Sequence, residues 1–179
     1  IKEVGHSGTL DPLATGLMVL LIGEATKLSS YVTEGDKSYE VGFKLGVTTD
    51  TLDITGQLLT EKQVLCSAIE IENLALQLMG EFELPIPMFS AKKIDGKKLY
   101  EYAREGEIIV QPKKVMKFWN VTKVTPTQFH LHCSKGSFVR SWVQLLGERL
   151  GSGGALSSLK RTSYHKYSLN DSCSLEELE

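Results

Sequence analysis

Residues 5–16, GHSGTLDPLATG, surround one carboxylate, Asp11, with small side chains and follow it at once with Pro12. Two physical readings fit. An Asp-Pro pair suits the start of a helix, because the carboxylate caps free amides and proline lacks a donor that the first turn cannot use. Alternatively, Gly5, Gly8 and Gly16 leave the backbone around Asp11 open to a bulky ligand, and His6, five residues upstream, can flank the same place. The stretch runs through Gly16 into an apolar segment rather than a long amphipathic helix, which counts against the cap, and from these residues alone both readings stay open.

A second constellation is CSKGSFVRS, residues 133–141, where a glycine turn after Lys135 delivers Phe138 and Arg140 to the start of a helix. An arginine there is either a surface residue or the bidentate partner that fixes a carboxylate's geometry. Tyr39, on an alternating strand, is either a core residue with a satisfied hydroxyl or an aromatic platform. Several familiar chemistries are excluded. GHSG is not the G-x-S-x-G nucleophile elbow, no P-loop occurs, and DTLDITG lacks the alternating oxygens of a calcium loop. LGSGGALSS reads as a glycine-rich helix exit rather than a phosphate cradle. His130 and His132 share one face of a strand but have no third ligand nearby, which argues against a metal. Cys66, Cys133 and Cys173 are odd in number and widely spaced, against a disulfide framework and for a reducing cytoplasm.

These groups must be positioned by elements legible in the pattern. GLMVLLIG reads as a buried strand and EATKLSSYVTEG as a short helix ending at Gly35. KSYEVGFKLG places Tyr39, Val41, Phe43 and Leu45 on one face of a half-buried strand. TTDTLDITG is turn chemistry, followed by a short strand QLLTEK. Residues 64–79 carry apolar residues at helical spacing up to Gly80. AKKIDGKKLYEYAREGE predicts a turn at Asp95-Gly96 and a helix through Arg104. Residues 114–124 and 127–133 predict a hairpin, SFVRSWVQLLGERLG an amphipathic helix closed by Gly151, and ALSSLKRTSYHKYSL extended chain. Strands in runs favour α+β with a mainly antiparallel sheet.

At 179 residues the chain has the length of one domain, or of one domain plus an appendage, and no linker or repeat divides it. No apolar run approaches the roughly 20 residues that span a membrane, and no signal-peptide pattern opens it. The net charge of −2 conceals an asymmetry: residues 1–90 hold 5 basic against 13 acidic residues, and residues 91–170 hold 15 against 5. A basic block of that size is either a solvated face or the counterpart of an anionic partner, most naturally a phosphate backbone.

Together these segments resemble the TruB family of pseudouridine synthases, the bacterial enzymes that act on the T-loop uridine of tRNA. GHSGTLDPLATG is similar to the family's nucleophile motif. GEATKLSSYV, DKSYEV, TTDTLDITG, SAKKIDGKKLYEYAREG, CSKGSFVRS and LGSGGALSSLKR follow in the family's order, so the resemblance spans residues 2 to about 162. It implies an α+β pseudouridine-synthase fold, a mainly antiparallel mixed sheet flanked by helices, with residues 1–179 as the catalytic domain. It implies Asp11 as the catalytic aspartate, Tyr39 as the aromatic stacked on the target uracil and a catalytic candidate for removing the C5 proton, and Arg140 as the partner of Asp11. Phe138 and Leu159 would line the uracil pocket, and His6 would pack against displaced RNA. The stretch 91–106, with Lys92, Lys93, Lys97 and Lys98, resembles the family's mobile loop that clamps the T arm. The family pattern has Tyr where Phe138 stands, which keeps stacking and loses a hydroxyl contact. The implied reaction is isomerisation of the T-loop uridine with no cofactor and no metal. The implied partner is tRNA, without guide RNA, membrane or obligate protein partner, in the cytoplasm. An N-terminal segment with a Lys-Pro-x-Gly pattern is expected to be missing before Ile1, and no complete C-terminal PUA-type domain is expected. Competing expectations are a tRNA-binding or folding protein with lost or secondary catalysis, a guide-dependent subunit, and a small metal enzyme.

Overall fold

The computed structural model describes residues 3–174 and 176–178; Ile1, Lys2, Leu175 and Glu179 lie outside them. In chain order the first elements are β1 (Val4–His6), β2 (Ala14–Gly16), β3 (Leu20–Ile22), a 3-10 turn, α1 (Ser29–Val32), β4 (Lys37–Leu45), β5 (Val47–Thr49) and β6 (Leu58–Glu61). Then come α2 (Ala68–Gln77), β7 (Gly80–Pro85), β8 (Lys93–Ile94), β9 (Lys97–Lys98) and α3 (Leu99–Glu105). The chain continues through β10 (Lys113–Thr125), β11 (Gln128–Cys133), α4 (Val139–Arg149), β12 (Gly154–Tyr164) and β13 (Tyr167–Ser168).

Period-2 alternation in β4 sends Tyr39, Val41, Phe43 and Leu45 to one face, all buried. That strand becomes the centre of a sheet in the order β13-β12-β4-β11-β10-β7, with β2 also alongside β12. Pairings in this sheet are antiparallel except β2–β12, where Ala14, Thr15 and Gly16 run parallel to Leu159, Lys160 and Arg161. The expected α+β architecture with a mainly antiparallel sheet is therefore the one observed. The core joins Val41, Met116, Phe118, Phe129 and Leu131 of the sheet to Ile71, Ala75 and Leu78 from the α2 segment and Trp142, Val143 and Leu146 of α4. Gly147 lets α4 close on β12, since a Cβ there would lie 2.3 Å from Gly153 C and Gly154 N.

Three expectations are corrected. The apolar run GLMVLLIG is not one buried strand: β2 ends at Gly16, the chain turns, and β3 pairs with β1, leaving Leu20 and Ile22 exposed. The helix expected over 64–79 begins at Ala68, because Ser67 accepts from Glu70 N while the Glu70 carboxylate accepts from Ser67 N. This capping box fixes the start more strongly than apolar spacing extends it. Gly80 does more than end that helix; it opens β7, an edge strand that spacing alone does not indicate.

Burial of ionisable groups makes the fold sensitive to alkali. The Cys133 thiol, buried where β11 meets β4, is pushed from near 9 up to about 12 by loss of solvation. Burial also lifts the Tyr39 phenol above the usual tyrosine range. Both groups ionise more readily when unfolded, so the stability they contribute is complete below pH 9 and is lost as pH rises towards 12. The melting temperature is expected to fall steadily from pH 9 upward, and Cys133→Val to flatten the first part of that decline; a pH-independent melt over this range would contradict it.

Candidate active site

Asp11 does not cap a helix: Ala14 N donates to Asp11 O at 2.8 Å, a tight turn at Pro12 and Leu13 that leads directly into β2. The loop bearing Asp11 is fastened at both ends by β12. At the far end, Leu17 N donates to Arg161 O at 2.8 Å and Arg161 Nε donates to Leu17 O at 2.7 Å. At the near end, Arg161 Nη2 donates to Gly8 O at 3.3 Å and Tyr164 Oη donates to Ser7 O at 2.9 Å. Gly16 is required where the loop closes: its φ is +95°, and a Cβ would lie 2.4 Å from Arg161 O.

Arg140 enters from the first turn of α4 and is 3% exposed, so it is not a surface residue. Its Nη2 donates to Asp11 Oδ1 at 3.1 Å, and its Nε approaches Oδ2 at 2.9 Å as an ion-pair contact without hydrogen-bond alignment. Nη1 donates to Thr51 O at 2.9 Å, and Nη2 also to Phe89 O at 3.1 Å. A cation at a helix N-terminus opposes the helix dipole, and the Asp11 carboxylate offsets that cost. The Thr51 carbonyl is aimed by a turn in which the Asp53 carboxylate accepts from Thr51 Oγ1 at 2.9 Å, Thr55 N at 3.0 Å and Thr55 Oγ1 at 2.6 Å. Leu52 in that turn holds φ +65°, a left-handed conformation costing a non-glycine residue about 1–2 kcal/mol. Asp53 is not singled out by the sequence pattern, although TTDTLDITG reads as turn chemistry.

Asp11 and Arg140 face a pocket of about 330 Å³ that also includes Tyr39, Phe138 and Leu159 in its lining. The structure thus brings together five of the residues named from the sequence. It adds Lys37, Lys135, Arg161 and Tyr164. Two of these had a signal: Lys37 precedes Tyr39 by two on β4, and Arg161 follows Leu159 by two on β12, so each shares its neighbour's face. Burial, aided by Cys133, keeps Tyr39 a neutral phenol against the opposing pull of Arg161, so the pocket is offered a stacking ring rather than a phenolate. His6 sits exposed on β1, outside the pocket lining. Lys92, Lys93, Lys97 and Lys98 lie apart from the pocket on or beside the β8–β9 hairpin. Lys97 there is paired with Glu105 and with Glu107. His132 shares a hydrogen bond with Ser38 Oγ at 3.1 Å, and among the described residues no three His, Cys, Asp or Glu side chains converge.

Comparison with known proteins places this geometry in context. A sequence profile described as "TruB family pseudouridylate synthase (N terminal domain)" matches residues 1–139. The protein named tRNA pseudouridine synthase B from Bdellovibrio bacteriovorus is 48% identical over 183 aligned residues, covering 99% of this chain and 59% of that protein. The proteins of the same name from Alkaliphilus oremlandii and Opitutus terrae are 39% and 41% identical, with 61% and 76% of their lengths covered. The chain thus spans about three fifths of the length of the first two. Among solved structures, a Cbf5-Nop10-Gar1 complex aligns with a TM-score of 0.65 at 21% identity, over 92% of this chain and 41% of the matched one. An H/ACA RNP bound to a substrate RNA containing 2′-deoxyuridine also aligns at 0.65, with 17% identity over 94% and 40%. At these identities the likeness is one of fold.

The contacts of Arg140 set a stability test. Arg140→Lys keeps the charge but cannot serve Asp11, Thr51 and Phe89 together, and leaves buried carbonyls unpaired. A loss of about 2–3 kcal/mol in unfolding free energy is expected by denaturant titration. A change below about 0.5 kcal/mol, the level of an ordinary surface substitution, would show that the fork is not what holds these segments.

Proposed function

The chain belongs to the TruB family of pseudouridylate synthases, and from that premise we propose that it isomerises a T-loop uridine of tRNA to pseudouridine, with Asp11 acting on the ribose. The observation that carries this reading is the Asp11 carboxylate, held by Arg140 at the wall of a pocket that also presents the Tyr39 ring. The relatives named tRNA pseudouridine synthase B support tRNA as the substrate.

The chemistry needs little else. The N1–C1′ bond breaks, the base turns, and C5 joins C1′; the proton lost from C5 is matched by one gained at N1. No electron or group is exchanged, so no cofactor or metal enters. A carboxylate beside the ribose serves either route to cleavage, attack at C1′ or removal of the C2′ proton. Asp11 is the carboxylate in the pocket lining, and Arg140 holds its orientation fixed while the base departs. The uridine must leave its stack, which costs a few kcal/mol. Stacking on Tyr39, on the order of 1–3 kcal/mol for one base, offsets much of this, with Phe138 and Leu159 as further pocket walls. His6 lies on β1 just ahead of Ser7 and Gly8 of the lining, a position suited to contact with RNA strands displaced around the flipped base. Lys92 and Lys93 offer ammonium groups to phosphates of the T arm, whereas Lys97 is offset by two carboxylates.

On this reading residues 1–179 are the catalytic domain, working in the cytoplasm without guide RNA, membrane or obligate protein partner. No helix among the described residues is long and apolar enough to cross a membrane.

The experiment is incubation with an unmodified tRNA transcript, without guide RNA, and mapping of pseudouridine beside Asp11→Asn. Conversion confined to the T-loop uridine and absent from the variant is expected. Binding of the transcript without conversion would favour a tRNA-binding protein. Affinity is also expected to fall as salt rises, by a slope of about 0.7–0.9 per phosphate neutralised; salt-independent binding would overturn the phosphate contacts.

A further inference from the structure

The pocket wall carries more positive charge than Asp11 accounts for. Four cationic side chains line it, Lys37, Lys135, Arg140 and Arg161, against the single carboxylate of Asp11. Asp11 answers Arg140, and Lys135 is paired with Glu34. Lys37 and Arg161 have no carboxylate within 4.0 Å among the described residues. Arg161 is 1% exposed; its Nε and Nη2 are taken by backbone carbonyls, while Nη1 makes no hydrogen bond within 3.5 Å among the described residues. An unpaired buried cation is costly, and several kcal/mol are at stake when no anion answers it.

The strand register explains why the two cations meet. Arg161 lies opposite Tyr39 and Tyr164 opposite Lys37, and an irregularity between Arg161 and Ser163 turns Tyr164 onto the pocket side. Lys37 Nζ then lies 4.8 Å from the Tyr164 ring centroid and Arg161 Cζ 5.4 Å from the same centroid. Burial lowers the Lys37 pKa; Cys133 and Asp36 pull it up, while Arg161 and Lys135 push it down, so these cations sense one another across the pocket.

We infer that Lys37 and Arg161, beside Tyr164, seat one of the two phosphates flanking the target nucleotide. The inference rests on the proposed action on RNA, in which phosphates are the substrate's ground-state anions and the uracil is neutral. A phosphate joined to the ribose on which Asp11 acts is carried towards that carboxylate, and the two repel at short range. Lys37 and Arg161 supply the opposing charge on another wall of the same pocket. Lys37 anchors the phosphate through its ammonium, and Arg161 through Nη1, while its other nitrogens keep the Asp11 loop closed.

The test uses T-arm RNA hairpins in which a single methylphosphonate linkage, 5′ or 3′ of the target uridine, removes one phosphate charge. Affinities are measured in the Asp11→Asn background, so no turnover intervenes, with and without Lys37→Met. One of the two linkages is expected to weaken binding roughly tenfold when Lys37 is present and clearly less, about threefold, in Lys37→Met, where Arg161 alone still holds the phosphate. That linkage also identifies which phosphate is held. Equal weakening with and without Lys37, from both linkages, would overturn the inference, as would failure of the hairpins to bind. Arg161→Lys, which keeps the charge, is expected to retain more of the linkage effect than Arg161→Gln, with melting curves separating loss of the loop clasp. With Asp11 intact, a Lys37→Met defect wholly in kcat at unchanged affinity would assign the charge to the departing base and overturn the phosphate seat. RNA that binds with the expected linkage effect but is never isomerised would refute the proposed reaction and leave the seat standing.

Discussion

The structure turns on a buried guanidinium whose charge must be answered by the segments around it. Arg140 joins four segments distant in sequence: the Asp11 loop, the Thr51 turn, the chain at Phe89 after β7, and α4 itself. Taking such a charge out of water costs several kcal/mol unless its donors are met. Each of the three segments that α4 meets must therefore arrive with an acceptor in place. The strained Leu52 turn, stitched by Asp53, and the close approach of Gly147 to β12 bring two of them there. The sheet is the frame on which that convergence becomes possible.

Arg161 performs the complementary task from the other side. It spans the Asp11 loop from Gly8 to Leu17 and makes its contacts with carbonyls rather than with a carboxylate. Arg140 thus sets where the carboxylate points, and Arg161 with Tyr164 sets where the loop sits. Lysine could not replace either arginine, because a single ammonium does not present the planar fork that reaches several carbonyls at once.

Much of the frame was legible in the sequence because it rests on short-range rules. The alternation of β4, the β10–β11 hairpin and the amphipathic α4 all follow from residue spacing. Ser67-x-x-Glu70 was also present as a local signal, but apolar spacing from Val64 obscured it. GLMVLLIG misled because a run of apolar residues does not say where a chain turns, and the turn depends on Gly16 lying against Arg161, which is distant in sequence. The pairing of Asp11 with Arg140 spans 129 positions, and spacing alone left each residue ambiguous. It was the order of several motifs that joined them. The role of β12 stayed hidden for another reason: the irregularity after Arg161 changes which of its side chains face the pocket, and strand alternation presumes none.

Charge shows the same limit from a different direction. Summed along the chain, basic residues collect in 91–170, yet Lys97 in that block is held by two glutamates. Lys37 comes from the acidic first half and has no such partner among the described residues. Screening leaves little of an exposed, already paired charge for a ligand to feel, whereas a half-buried cation without a counterion keeps its field. The quantity that bears on an anionic substrate is therefore uncompensated charge at a wall of low dielectric. By that measure such charge is found inside the pocket, where Lys37 and Arg161 stand in the same lining as the Asp11 carboxylate.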